Sequence, residues 1–97
     1  MGIGAGYWKQ LPMLQNQTRN VEGDVTLESI KCTNNQGSVT CTVTAFEEDG
    51  ALSVDPLKII EFHGKTECDY GLLNIVYPYG FRATVSDHAG AYLILYS

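Results

Sequence analysis

The chain has 97 residues, 44% hydrophobic and 18% charged, with ten glycines and three prolines. That is enough for one domain with a modest core and too little for two, and it is neither a disordered nor a collagen-like composition. Eleven Asp and Glu against six Lys and Arg leave a net charge of −5, so there is no basic face to neutralise phosphates and nucleic acid is set aside as a partner; no apolar run approaches the roughly 20 residues that span a bilayer, so no membrane insertion is expected either.

The N-terminal stretch MGIGAGYWKQLPML has no basic segment leading into an apolar one, so no signal peptide is read, and position 6 lacks the Ser or Thr of a myristoylation signal. Asn16-Gln17-Thr18 is an N-glycosylation acceptor and the feature that favours a secreted protein in mature form. Between Gly6 and Val21 the residues show no clear period; Tyr7-Trp8 and Leu11-Pro12-Met13-Leu14 predict a short 3₁₀ turn or strand followed by a loop.

From Gly23 onward, β-branched and aromatic residues alternate with polar ones between Gly, Asn and Asp punctuation, the pattern of an all-β domain. Residues 25–33 begin with apolar side chains at odd positions (Val25, Leu27) and end with them at even ones (Ile30, Cys32), which places a β-bulge near Glu28-Ser29. In the next strand Val39, Cys41, Val43 and Ala45 share one face and Thr40, Thr42 and Thr44 the other, as in a half-buried antiparallel strand. A hairpin centred on Gln36-Gly37 would set Cys32 opposite Cys41, where some registers permit a disulfide and an extracellular setting would preserve it. Cys68 is then the odd thiol, either buried and inert or paired with a segment or chain outside this sequence.

Glu47-Glu48-Asp49-Gly50 reads as a solvated turn, because it lacks the further oxygen ligands of a calcium loop. Strands are expected over 57–62, 72–77, 81–85 and 91–96, the last two forming a hairpin. Six or seven short strands in all point to a barrel or a sandwich. His63 and His88 lack metal-ligand spacing, and Ser86-Asp87-His88 are adjacent along the chain, so they cannot form the relay in which histidine bridges serine and aspartate. MGIGAG has neither the preceding strand nor the lysine of a phosphate loop. No catalytic residue, metal site or cofactor is expected.

Two stretches resemble motifs of the lipocalin family of ligand-binding barrels. Gly6-Tyr7-Trp8 is similar to its N-terminal Gly-x-Trp motif. Ser86-Asp87-His88, followed by Ala91 to Tyr96, is similar to its Thr-Asp-Tyr turn and the succeeding strand, with serine and histidine substituted and one residue inserted. Trp8 and Asp87 lie 79 positions apart, a separation comparable with the family's. The resemblance implies an antiparallel up-and-down β-barrel, with Trp8 across its closed end and the final strand, the helix and a partner for Cys68 lacking; a β-sandwich is the alternative architecture.

The implied function is that of a secreted carrier for a small hydrophobic molecule, enclosed by Leu27, Val43, Ile75, Phe81, Ala83, Val85, Leu93 and Leu95. Alternation independently sends Phe81, Ala83 and Val85 to one apolar face, and the family pattern sends Leu93 and Leu95 inward. A filled core would show the same alternation. The competing expectation is an interaction module, a homodimer or the acceptor of a partner's strand, joined through an open edge at Tyr92 to Tyr96.

Overall fold

The computed structural model describes residues 8–33, 39–64, 68–87 and 90–97. Among these residues nine strands run Lys9–Leu14 (β1), Thr18–Glu22 (β2), Val25–Thr33 (β3), Val39–Ala45 (β4), Ile59–Gly64 (β5), Cys68–Tyr70 (β6), Ile75–Tyr77 (β7), Gly80–Val85 (β8) and Ala91–Tyr96 (β9), with a 3₁₀ turn over Pro56–Lys58. They form two antiparallel sheets. In the first, β1 pairs with β9 and β9 with β3, while β6 and β7 lie end to end along the far side of β3; the second has the order β2-β8-β4-β5.

The closed up-and-down barrel is not formed. Such a barrel pairs each strand with the next in sequence, and among the described residues β4 and β5 are the only consecutive strands that pair. Counting β6 and β7 as one broken strand, the two orders are those of a jelly roll, a β-sandwich built from two interlocked Greek keys. The expected hairpin of residues 81–85 and 91–96 is absent, because β8 belongs to the second sheet and β9 to the first. Nor is β9 an open edge: β1 pairs with it from Lys9↔Tyr96 to Leu14↔Ala91, and β3 along its other side. Of the two alternatives expected early in residues 6–21, a 3₁₀ turn or a strand, the strand forms as β1, where Pro12 is tolerated because β1 is at a sheet edge; the loop expected to follow gives way to β2 from Thr18.

The phase change in β3 is a bulge. Leu27 pairs with Tyr96 and Ser29 with Leu95, so Glu28 is the extra residue, and Leu27 and Ile30 both turn inward. Opposite this bulge the neighbouring strand is also broken, into β6 and β7. Leu73 N–H donates to Glu28 C=O at 2.8 Å and Ser29 Oγ to Tyr70 C=O at 3.3 Å, so the ladder continues through the irregularity.

Between the sheets lies one apolar layer. Met13, Leu27, Ile30, Tyr92 and Ile94 of the first sheet meet Val39, Cys41, Val43, Phe81, Ala83 and Val85 of the second, all essentially without exposed surface. Tyr92 spans the layer: its hydroxyl donates toward the carbonyls of Val39 (2.9 Å) and Phe62 (2.8 Å). Inward on β9 are therefore Tyr92 and Ile94, whereas Leu93 and Leu95 are on the opposite face, pairing with Lys31 and Ser29. This reverses the orientation implied by the family pattern, since the strand is placed by its register with β3.

The hairpin that would have joined Cys32 to Cys41 is likewise replaced by a crossing between sheets. Cys32 pairs in register with Cys68 and Tyr92, Cys41 with Phe62 and Val85, and Cys41 forms no disulfide. The proposed turn at Gln36-Gly37 lies outside the described residues.

Gly80 opens β8 with φ +88°, and a Cβ there would fall 2.1 Å from the Val21 carbonyl oxygen; Gly50 has the same φ but open space around it. Gly50→Ala is expected to cost about 1 kcal/mol, the left-handed penalty alone. Gly80→Ala adds a backbone clash and is expected to cost about 3 kcal/mol or more. Urea denaturation of the two variants gives the comparison, and equal midpoints would contradict it.

Candidate functional site

On one side of the sandwich, the edge strand β5 of the second sheet faces the broken edge strand of the first. Half of this seam is shut. The Tyr70 ring stands edge-on to Phe62 at 5.1 Å between centroids, and its hydroxyl donates to the His63 carbonyl. The other half, between β5 and β7, is open as a cleft of about 230 Å³.

Local sequence builds the cleft's rim. The Asp55 carboxylate accepts from Leu57 N–H at 3.0 Å, and Pro56 supplies the fixed φ for the first position of the 3₁₀ turn. That turn presents Leu57 outward with 89% of its surface exposed. Ile60 of β5 and Ile75 and Tyr77 of β7 line the interior, and Phe46, Val76 and Tyr79 border it. Val76 and Tyr79 are 58% and 46% exposed. Lys58 contributes a charge to the rim and pairs with Glu47 at 3.3 Å. A hydrogen bond from Ser53, and then Lys58, holds the Glu47 carboxyl below its ordinary range. With both partners about half exposed, this pair adds little stability.

Tyr77 carries the site's unusual chemistry. The residue is 3% exposed, its ring lies 5.2 Å from that of Phe81, and its hydroxyl is buried without a hydrogen-bond partner. Burial, reinforced by the nearby Cys41, pushes the phenol up to about 12. Burial likewise pushes the Cys41 thiol up to about 12. Neither is an activated nucleophile at neutral pH, because desolvation holds both in their protonated forms.

Of the residues expected to enclose a ligand, Ile75 lies in the cleft. Leu27, Val43, Phe81, Ala83 and Val85 pack into the filled layer, while Leu93 and Leu95 are on the outer face of the first sheet. Trp8 is half-buried immediately before β1; Gly6 and His88 are outside the described residues. Ser86 and Asp87 instead tie two turns together. Ser86 Oγ accepts from Thr40 N–H at 2.9 Å, and the Asp87 carboxylate accepts from Gln15 Nε2 (2.9 Å) and Asn16 Nδ2 (3.0 Å). Asn16 is exposed, with φ +64°.

In the acidic turn, Asp49 Oδ1 accepts from Ala51 N–H while Glu47 faces Lys58. Among the described residues no three His, Cys, Asp or Glu side chains gather as metal ligands. Sequence reading missed Phe46, Leu57, Val76 and Tyr79. The available signal was Leu57 itself, an apolar residue directly after the turn-forming pair Asp55-Pro56.

The buried phenol and thiol make stability depend on alkaline pH. In the unfolded chain they titrate near their ordinary values, 9.0 for Cys41 and 10.0 for Tyr77, and in the folded chain at about 12. The unfolded state therefore loses protons first as pH rises, and the stability these groups contribute, complete below pH 9, is lost between pH 9 and about 12. Urea midpoints are expected to fall across that window, less steeply in Tyr77→Phe. At pH 7 that variant should be about 1 kcal/mol more stable, because it removes an unpaired buried hydroxyl. A flat profile or a destabilised Tyr77→Phe would contradict this account.

No family model, curated protein or solved structure matches the chain.

Proposed function

We propose that this protein is a small binding module that takes an apolar group into the cleft between β5 and β7. The observation that carries the reading is the cleft itself: an opening of about 230 Å³ at the seam of an otherwise filled sandwich, with Leu57, Val76 and Tyr79 exposed around it. Exposed apolar side chains gathered about a concavity are the usual mark of a binding surface. The volume is below the range of about 300–1,000 Å³ for drug-sized ligands, and it suits one aromatic ring or branched aliphatic group.

The lipocalin resemblance contributes to this proposal the class of function, reception of a small hydrophobic group, and the cleft replaces the barrel interior as its location. Secretion belongs to the same proposal. It is supported by the exposure of Asn16 in the turn after β1, where a glycan would still leave one amide proton for Asp87. Binding rather than catalysis is proposed because Tyr77, which lines the cleft, and the Cys41 thiol near it are held in their unreactive forms.

Indole is a suitable probe. In ¹H–¹⁵N spectra of the labelled protein it is expected to produce saturable shifts concentrated at Ile60, Ile75, Val76 and Tyr77. Leu57→Asp should abolish them with little change in the urea midpoint, because the side chain replaced is exposed. Absence of saturable shifts, or shifts centred elsewhere, would overturn the proposal.

A further inference from the structure

The cleft opens beside a strand edge that no other described strand fills. Thr26 exchanges both backbone hydrogen bonds with Ser97, each at 2.9 Å, so its polar groups face away from β7. Alternation along an antiparallel ladder then turns Val25 and Leu27 toward β7, where they meet Tyr77 and Ile75. Val76, between those two, must direct its own N–H and C=O outward. A further strand laid against β7 would bond to Val76 and send every second side chain into the cleft beside Ile75 and Tyr77.

A second depression of about 250 Å³ adjoins the cleft. The two share Phe46, Glu47, Pro78 and Tyr79, and the second adds Glu22 and Glu48. Among the described residues no Lys or Arg lines it. Lys58 is on the cleft's own rim, engaged with Glu47, and Arg82, whose guanidinium lies 5.9 Å from the Phe46 ring, is held by Asn20 Oδ1 at 2.8 Å. An apolar receptacle thus passes directly into an acidic one that includes an exposed aromatic ring.

Resting on the apolar-cleft reading and extending it, we propose that the occupant is an extended peptide segment of another protein. It adds as a strand to β7, inserts an apolar side chain into the cleft, and places a Lys or Arg two residues away beside Glu22 and Glu48. The two-residue spacing follows from strand geometry, which returns side chains to one face at every second position. Charge selects the basic residue: besides Glu47, which Lys58 already engages, Glu22 and Glu48 line the second depression, and the whole chain carries −5.

The test uses fluorescence anisotropy with labelled synthetic heptapeptides, Thr-Lys-Thr-Leu-Thr-Lys-Thr as reference, its symmetry serving either strand direction. Replacing both Lys by Glu is expected to weaken binding about five-fold or more, as two partly exposed charge pairs would, and the difference should shrink at high salt. Glu22→Gln with Glu48→Gln should remove that preference, whereas Glu28→Gln with Asp69→Asn, the same charge change elsewhere, should retain it. Replacing Leu by Ser, or N-methylating the two Thr residues beside Leu, should abolish binding.

Equal binding of the Lys and Glu peptides, or full binding of the N-methylated one, overturns the proposal. So does a homodimer in sedimentation experiments that Leu57→Asp dissociates, since a second copy would then occupy the cleft. If indole binds and the peptides do not discriminate, the peptide inference fails while the cleft reading stands; if indole does not bind, the cleft reading itself fails.

Discussion

The structure depends on one constraint: a single apolar layer must serve both sheets. Each strand contributes one face to that layer, and a misplaced register would turn those side chains to solvent. Tyr92 shows how tightly the sheets are matched. Its ring fills the layer from β9, and its hydroxyl reaches carbonyls of β4 and β5 in the other sheet. The bulge at Glu28 serves the same constraint, restoring the inward phase of β3 halfway along its length and imposing a break in the strand beside it.

A two-sheet sandwich retains edges, and these edges are protected unequally. Pro12 stands in β1; β2 carries Arg19, Asn20 and Glu22; β5 presents Glu61 and His63, with the His63 carbonyl already bound by Tyr70. Proline and charge are common ways to discourage strand addition. Among the described strands only β7, three residues long and centred on the exposed Val76, combines an open backbone edge with a cavity. The same seam that is shut by Tyr70 and Phe62 along one half is open along the other, which concentrates the binding potential in one place.

Strand faces were largely legible in the sequence because a side-chain period of two is local information. The alternation over Val39 to Ala45, the inward set Phe81, Ala83 and Val85, and the phase change at Glu28-Ser29 all follow from neighbours a few residues apart. The residues of β1 read as a strand or a 3₁₀ turn alike, because Pro12 suits a strand only at an edge, and an edge exists only in the assembled sheet. The cleft was illegible for a related reason. Its lining comes from Phe46, the 3₁₀ turn, β5 and β7, and no sequence period links those segments.

What the sequence by itself determined is an all-β domain and the side of most strands that faces the core, since β-propensity and alternation act within each segment. Which strand neighbours which was decided only in the tertiary structure. The residues that alternate correctly for a hairpin between 81–85 and 91–96 alternate equally well when the two strands lie in different sheets. Burial energy rewards the apolar face in either arrangement, so the choice between barrel and jelly roll, the central position of Tyr92 to Tyr96, and the cleft at β7 arise from contacts between residues far apart in the chain.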